Sequence, residues 1–171
     1  NSTAVLATKA NGTLWAWGYN PNGQLGTNDT VTRSSPVQVG ALTDWADIAV
    51  NDSTGVGIKT GGTLWTWGQN TSGALGSNVA ITVDRSSPVQ VGALTNWSKC
   101  FTSNGSVFSI KTNGTLWAWG NNGYGQLGQN DRVYRSSPVQ VGALTTWLNI
   151  AGGLYQTFAI KTNGTLWSWG N

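Results

Sequence analysis

Short runs in which apolar residues fill alternate positions recur along the whole chain. In the run 13–17, alternation places Leu14 and Ala16 on one face of a strand and Trp15 and Trp17 on the other. The run returns at 63–67, 115–119 and 165–169. Both faces are apolar, so we expect protein to cover each strand on both sides. No window has the apolar spacing of an amphipathic helix, and the pattern therefore predicts an all-β chain.

The repeat is about fifty residues long, which is typical of folds built by stacking one supersecondary unit. Each copy contains four predicted strands; in the second copy they are Trp45–Val50, Thr54–Lys59, 63–67 and 87–91. Asn-Gly joins the second and third strands in three copies, and Gly-Gly in one. These dipeptides accept positive φ at both positions, so we predict type I′ hairpin turns.

A four-stranded antiparallel unit with two covered faces is typical of a β-propeller blade. The chain holds about three and a half such blades, predicted as one repeat domain over residues 1–171. Its predicted parts are a partial blade at 1–43, blades at 44–95 and 96–145, and a partial blade at 146–171. Three arrangements stay open: a piece of a longer polypeptide, a ring completed by other copies, or a ring of four. We expect the ends to contact further protein, since open blade faces and strand edges promote aggregation.

The third strand leads into a specific motif, W-G-x-N-x-x-G-Q-L-G, at 17–26 and 119–128. The middle copy departs from it with Ala74 in place of Gln. The motif, followed by a Pro-Val strand, resembles the regulator of chromosome condensation repeat, and the match spans the whole chain. The resemblance implies a propeller; that family builds seven-bladed rings, which this chain is too short to make alone.

Members of the resembled family include a nuclear exchange factor for a small GTPase, secreted inhibitors of β-lactamase, and many bacterial and phage proteins. The near-identical repeats, rich in Asn, Thr and Ser, look most like the last group. Exchange activity is disfavoured, because the uniform repeats lack the individual wedge and acidic loops which that activity uses.

Composition limits the chemistry. The chain has no His, Met or Glu, six Asp and one Cys. Without His, the commonest general base and metal ligand is missing, so we predict that the protein is not an enzyme and has no cofactor or metal site. Cys100 occupies the position of Ile48 and Ile150 in other copies, which predicts a small buried residue rather than a reactive thiol.

The net charge of +3 is periodic. A Lys ends each second strand and an Arg precedes each complete fourth strand, and antiparallel connectivity puts the two sets on opposite rims. These are Lys9, Lys59, Lys111 and Lys161 on the Lys rim, and Arg33, Arg85 and Arg135 on the Arg rim. A ring of cations would attract phosphate or anionic glycans. Repetition favours a simpler interpretation, with Lys as solvated hairpin ends and Arg as loop braces.

The paired tryptophans are predicted to pack between blades, with Trp17, Trp67 and Trp119 almost fully buried. They are therefore not free to stack on bases, and we predict no nucleic-acid partner. No apolar run is long enough for a membrane span, so no membrane insertion is expected.

We expect the binding function to lie in the loops of the Arg rim, because these are the segments in which the copies differ. The candidate binding residues are Tyr19, Asn51, Asp52, Asn104, Tyr124, Arg132, Tyr134, Tyr155 and Gln156. The predicted function is a non-enzymatic structural or interaction module, part of a virion appendage or a cell-surface adhesive protein, located outside the cell or on the virion. Its partner would be a protein or further repeats that complete the ring. The alternative is a secreted propeller that inhibits a protein or binds a glycan through this rim.

Overall fold

The computed structural model describes residues 3–78 and 83–171, which form fourteen strands and no helix. The strands are β1 (Ala4–Thr8), β2 (Leu14–Gly18), β3 (Arg33–Gln38), β4 (Trp45–Val50), β5 (Thr54–Lys59), β6 (Leu64–Gly68), β7 (Arg85–Gln90), β8 (Trp97–Ser103), β9 (Ser106–Lys111), β10 (Leu116–Gly120), β11 (Arg135–Gln140), β12 (Trp147–Gly152), β13 (Gln156–Lys161) and β14 (Leu166–Gly170).

The strands form four antiparallel sheets in chain order. Strands β1 to β3 form a three-stranded sheet, β4 to β7 and β8 to β11 form four-stranded sheets, and β12 to β14 form a three-stranded sheet. The first strands of neighbouring sheets lie side by side, with β4 against β8 and β8 against β12. The prediction of an all-β propeller with about three and a half blades is confirmed. The proposed limits of the individual blades stay a prediction.

The first and second strands of the second blade have the predicted bounds, but the third and fourth do not. The third is Leu64–Gly68 and the fourth is Arg85–Gln90. The reason is a β-bulge, since the pairing register shifts between Thr66 and Gly68 and brings Gly68 opposite Arg85. Alignment of the copies predicts that the two extra residues of the middle repeat lie in the loop between Gly76 and Arg85, of which residues 79–82 lie outside the described part.

The turn between the second and third strands is not type I′, so that prediction is wrong. The Gly12 N–H donates to the Lys9 carbonyl at 2.9 Å, and the Lys9 N–H donates to the Thr13 carbonyl at 3.0 Å. This closes a three-residue loop in which only Gly12 has positive φ, at 76°. A turn with positive φ at both centres occurs between β8 and β9, where Asn104 and Gly105 have φ of 45° and 74°.

Tryptophans of the third strands form the contact between blades. Trp67 and Trp119 have no solvent exposure, and their indole N–H groups donate to carbonyls of the preceding blade, at Gln24 (2.8 Å) and Ala74 (2.9 Å). The burial prediction is confirmed for these two residues. It is wrong for Trp17, which is only partly buried because no blade precedes its sheet within the described residues.

Candidate protein-binding rim

The variable loops meet at one end of the sheets. This end, the Arg rim, comprises the loops between first and second strands (51–53, 104–105 and 153–155) and the described parts of the loops between third and fourth strands. The other end, the Lys rim, carries the hairpins between second and third strands and the connections to the next blade. The loops that differ among the repeats therefore lie at one end of the sheets.

Two of the three periodic arginines brace the Arg rim. Arg33 forms an ion pair with Asp29, and Arg135 forms the equivalent pair with Asp131. Hydrogen bonding from the Val133 N–H, followed by the Arg135 guanidinium, holds the pKa of Asp131 below its ordinary value of 3.8. These two guanidinium groups are occupied by carboxylates, so they shape the loops rather than attract an anionic ligand.

The periodic lysines are not all solvated hairpin ends, and that prediction is wrong for two of them. Lys59 and Lys111 are 8% and 7% exposed. The Lys111 ammonium lies over two indole rings, 3.8 Å from the centre of Trp117 and 4.7 Å from that of Trp97. Burial also lowers the pKa of Lys111. The lysine therefore belongs to an aromatic cage within its blade, where cation–π attraction offsets part of its desolvation.

The single thiol lies in the interior, as predicted. Cys100 is buried, and its backbone N–H donates to the Asp47 carboxylate of the preceding blade at 2.7 Å. Desolvation raises the pKa of the Cys100 thiol well above its ordinary value. The thiol is therefore protonated at neutral pH, which is the state of an inert structural cysteine.

Three of the candidate residues meet in a cleft of about 170 Å³ at the Arg rim. This inner cleft is lined by Asn51, Asp52, Asn104 and Leu154, among others. The Asn51 side chain accepts two N–H groups of its own turn and donates to Thr102 of the next blade at 2.9 Å. The Asn104 amide donates to the Leu154 carbonyl at 3.1 Å. Both asparagines therefore hold the loops in place, while Asp52 and Leu154 are exposed to solvent.

The most distinctive contact on the rim joins two of the variable tyrosines. The rings of Tyr124 and Tyr155 lie 4.2 Å apart between their centres, with an angle of 40° between their planes. They come from different blades and are 43% and 39% exposed. A tilted aromatic pair with this much exposure presents an apolar surface that carries two hydroxyl groups.

Tyr124 and Arg132 also line a second, larger cleft of about 490 Å³. This edge cleft lies beside β14 and includes Gly125, Asn130 and Trp169. The Arg132 side chain is exposed, in contrast to the braced Arg135.

The remaining candidates lie around these features. Tyr134 is 52% exposed and lies close to Gly123 of the same loop. Gln156 is exposed at the start of β13. Tyr19 is 40% exposed on the same rim of the first blade, apart from the two clefts.

Leu154 was not among the predicted candidates. It is 62% exposed and lines the inner cleft. The sequence could have identified Leu154 as a candidate, since this apolar residue occupies the position of the polar Asp52 and Asn104 in the other copies.

The chain matches a known repeat model and several solved propellers. The model of the regulator of chromosome condensation (RCC1) repeat matches residues 11–55, 61–110 and 113–160. Human WBSCR16 is similar in structure, with a TM-score of 0.84 and 18% identity over 98% of this chain and 45% of that one. A sequence comparison with curated proteins found no significant match.

Two structures of yeast RCC1, Prp20, are also similar. One shows Prp20 bound to Kap60, with a TM-score of 0.81 and 19% identity over 99% of this chain and 40% of that one. The other, from Saccharomyces cerevisiae, was described with its binding properties to Gsp1p and histones, with a TM-score of 0.81 and 21% identity over 99% of this chain and 42% of that one. This chain thus spans less than half the length of these propellers.

Across residues 3–78 and 83–171 the structure contains no helix that could cross a membrane.

Proposed function

The chain belongs to the regulator of chromosome condensation repeat family, and from this premise we propose that it binds a protein partner through the variable loops of the Arg rim. It is an RCC1-type β-propeller interaction module, and its yeast relatives include a protein solved with a protein partner. The observation that carries the proposal is the exposed contact between the rings of Tyr124 and Tyr155. Aromatic residues are enriched at the centres of protein interfaces.

The module acts without catalysis. Composition supports this, because the chain has no His and no Glu to serve as a general base. Its six Asp include two that are already paired with arginines in the described structure. The rim therefore offers shape, aromatic surface and hydrogen bonds, which serve recognition.

The module belongs to a surface structure, as part of a virion appendage or a cell-surface adhesive protein. The composition supports this location, since only 9% of the residues are charged and most of the polar residues are Thr, Ser, Asn or Gln. The location is tested by labelling intact cells and purified virions with an antibody against the folded chain. Labelling of lysed but not intact cells, with unlabelled virions, would contradict it.

A second candidate function is carbohydrate binding at the same place. Exposed aromatic rings with hydroxyl groups also suit the apolar face of a sugar ring. The Tyr124–Tyr155 pair would then hold a glycan rather than a protein.

A binding array of candidate proteins and glycans tests both functions. The variant Tyr124→Ser/Tyr155→Ser removes the aromatic pair without changing the sheets. Its matched control is Leu144→Ser, since Leu144 is as exposed as Tyr124, at 43%, but lies on the Lys rim. We expect a saturable protein ligand that the double variant loses and the control keeps. A glycan ligand with the same behaviour favours the second candidate, and a ligand unaffected by the double variant contradicts both.

A further inference from the structure

One ring contact of the Arg rim crosses the boundary between two blades. Tyr124 lies in the loop that follows β10 of the third blade, and Tyr155 lies in the loop between β12 and β13 of the fourth. Their ring centres are 4.2 Å apart, whereas the rings of aromatic pairs in proteins usually lie about 4.5–7 Å apart. Carbon atoms of the two rings are therefore in van der Waals contact.

The fold brings these two positions together at more than one junction between blades. One blade earlier, the equivalent residues are Ser72 and Gly105. A Cβ atom at Gly105 would lie 3.8 Å from the hydroxyl oxygen of Ser72, so the two positions meet there as well. The first junction has Asn22 and Ser53 at these positions. Small residues satisfy the repeat, so the pair of phenol rings between the third and fourth blades is an addition to it.

Hydrogen bonds hold both loops that carry the rings. The Tyr124 N–H donates to the side-chain oxygen of Gln126 at 2.9 Å. In the facing loop, the Leu154 carbonyl accepts from the Asn104 amide at 3.1 Å, which fixes the backbone next to the second ring. Because the two phenols are held side by side, a reaction between them is effectively unimolecular.

The pair is open to an oxidant, and no exposed sulfur competes with it. Both rings are exposed to solvent. Met and Cys are the usual targets of oxidation, but the chain has no Met and its one Cys, at position 100, is buried. Within the described residues, neither Tyr19 nor Tyr134 contacts another aromatic ring. Of the four tyrosines, only Tyr124 and Tyr155 therefore have a second phenol in contact.

We propose that Tyr124 and Tyr155 form an oxidative modification site, at which a dityrosine cross-link joins the third blade to the fourth. The oxidant is a peroxidase that uses hydrogen peroxide. It removes one electron from each phenol, and each hydroxyl group releases its proton.

The two phenoxyl radicals then couple. A carbon–carbon bond forms between ring carbons ortho to the oxygens, which meet because exposed side chains change rotamer rapidly. The hydrogens on these carbons leave as protons, and both oxygens are protonated again. Two phenols and one hydrogen peroxide therefore give one dityrosine and two molecules of water.

The test is treatment of the purified chain, at low concentration, with a peroxidase and hydrogen peroxide. We expect a monomer with dityrosine fluorescence and a mass lower by two hydrogen atoms, in which peptide mapping links positions 124 and 155. The melting temperature of this monomer should rise, because the new bond restricts the unfolded chain as a disulfide does. Cross-links that form only between chains, or that join other tyrosines, overturn the proposal. An unchanged melting temperature overturns the role of the cross-link as a brace between blades.

Four single variants make the test specific. Tyr124→Phe and Tyr155→Phe keep the aromatic ring and remove the hydroxyl from which the radical forms. Tyr19→Phe and Tyr134→Phe are the matched controls, since each removes a phenol outside the contact. In chains that circular dichroism shows to be folded, we expect either of the first two to give at least about tenfold less dityrosine within the monomer, and the controls to give the same yield as the native chain. Equal yields from all four overturn the proposal.

The cross-link uses the same tyrosines as the proposed binding surface but does not depend on any partner. The oxidation is measured on the chain alone, and the binding array is measured without an oxidant. Failure of the cross-link therefore leaves the proposed function intact, and a blank array leaves the cross-link intact.

Discussion

Replacement of Trp119 by alanine tests the contact between blades. The Trp119 side chain is fully buried, and its indole N–H donates to the Ala74 carbonyl of the preceding blade at 2.9 Å. The ring also packs over Gly76, where there is no room for a side chain. The substitution would therefore open a cavity between two blades and leave a buried carbonyl without its donor.

The expected loss of unfolding free energy in Trp119→Ala has two parts. Truncation of a buried Trp to Ala costs about 3–5 kcal/mol. The unpaired carbonyl adds about 1–3 kcal/mol where water does not reach it. A chain of this length loses about 2–4 °C of melting temperature per kcal/mol, so the truncation alone predicts a fall of at least about 6 °C. Trp119→Phe separates the parts, because it keeps most of the apolar volume and removes only the hydrogen bond.

The measurement is urea denaturation of the two variants followed by tryptophan fluorescence and circular dichroism. The matched control is Trp17→Ala, the same position in the first blade, where the side chain is only partly buried. We expect Trp17→Ala to lower the free energy of unfolding by less than half as much as Trp119→Ala does. Equal losses in the two alanine variants would refute the assignment of these tryptophans to an interface between blades.

Three further predictions follow from single contacts. Gly105→Ala places alanine at φ of 74° and should lower the free energy of unfolding, measured by urea denaturation, by about 1–2 kcal/mol. Gly61→Ala, at a position without positive φ, should not destabilise the chain. Equal effects of the two substitutions would contradict the conformation of the Asn104–Gly105 turn. The folded-state pKa of Asp131 lies below its ordinary 3.8, so this carboxylate stabilises the chain above about pH 4 and the stabilisation is lost as pH falls through the folded pKa. Asp131→Asn should therefore flatten the fall of melting temperature between pH 5 and pH 2.5. An unchanged fall of melting temperature over this range would contradict the prediction. Cys100 should react with a thiol reagent at pH 8 at least about 100-fold more slowly in the native chain than in urea, and similar rates would contradict its burial.

The repeat and the strand order could be predicted because each copy carries the same local pattern. Alternation alone placed Trp67 and Trp119 on a covered face, and both are buried. Trp17 has the same local sequence and a different burial, because burial depends on the neighbouring blade and not on the strand. Local pattern therefore predicts which face is apolar, while the arrangement of the blades decides whether it is covered.

The errors at turns and strand ends have a common origin in backbone detail. Asn-Gly favours a two-residue turn, but pairing of Lys9 with Thr13 leaves a three-residue loop in which Asn11 accepts from the Thr13 hydroxyl at 2.8 Å. Gly68 adopts φ of 94° at a bulge, which moves the start of the fourth strand. Both choices depend on which strand residues pair across the sheet, and several registers fit the same composition.

The rim candidates were predicted as a group, but their contacts were not. Connectivity put the variable loops on one end of the sheets. The ring contact between Tyr124 and Tyr155 depends on how two blades pack, so residues 31 positions apart in the chain meet without any local signal. The side chains of Asn51 and Asn104 look available in the sequence. In the structure Asn51 accepts from its own turn and Asn104 donates to the Leu154 carbonyl of the neighbouring loop.

The central claim is that the Arg rim binds the partner, and site-specific photo-cross-linking tests it most directly. A photoreactive amino acid is placed at Tyr124 or at Leu144, two positions of equal 43% exposure on opposite rims, and the chain is mixed with the protein ligand found in the array. Mass spectrometry of the products should show cross-links from position 124 and none from position 144. Cross-links from position 144, or equal yields from both, would contradict the account.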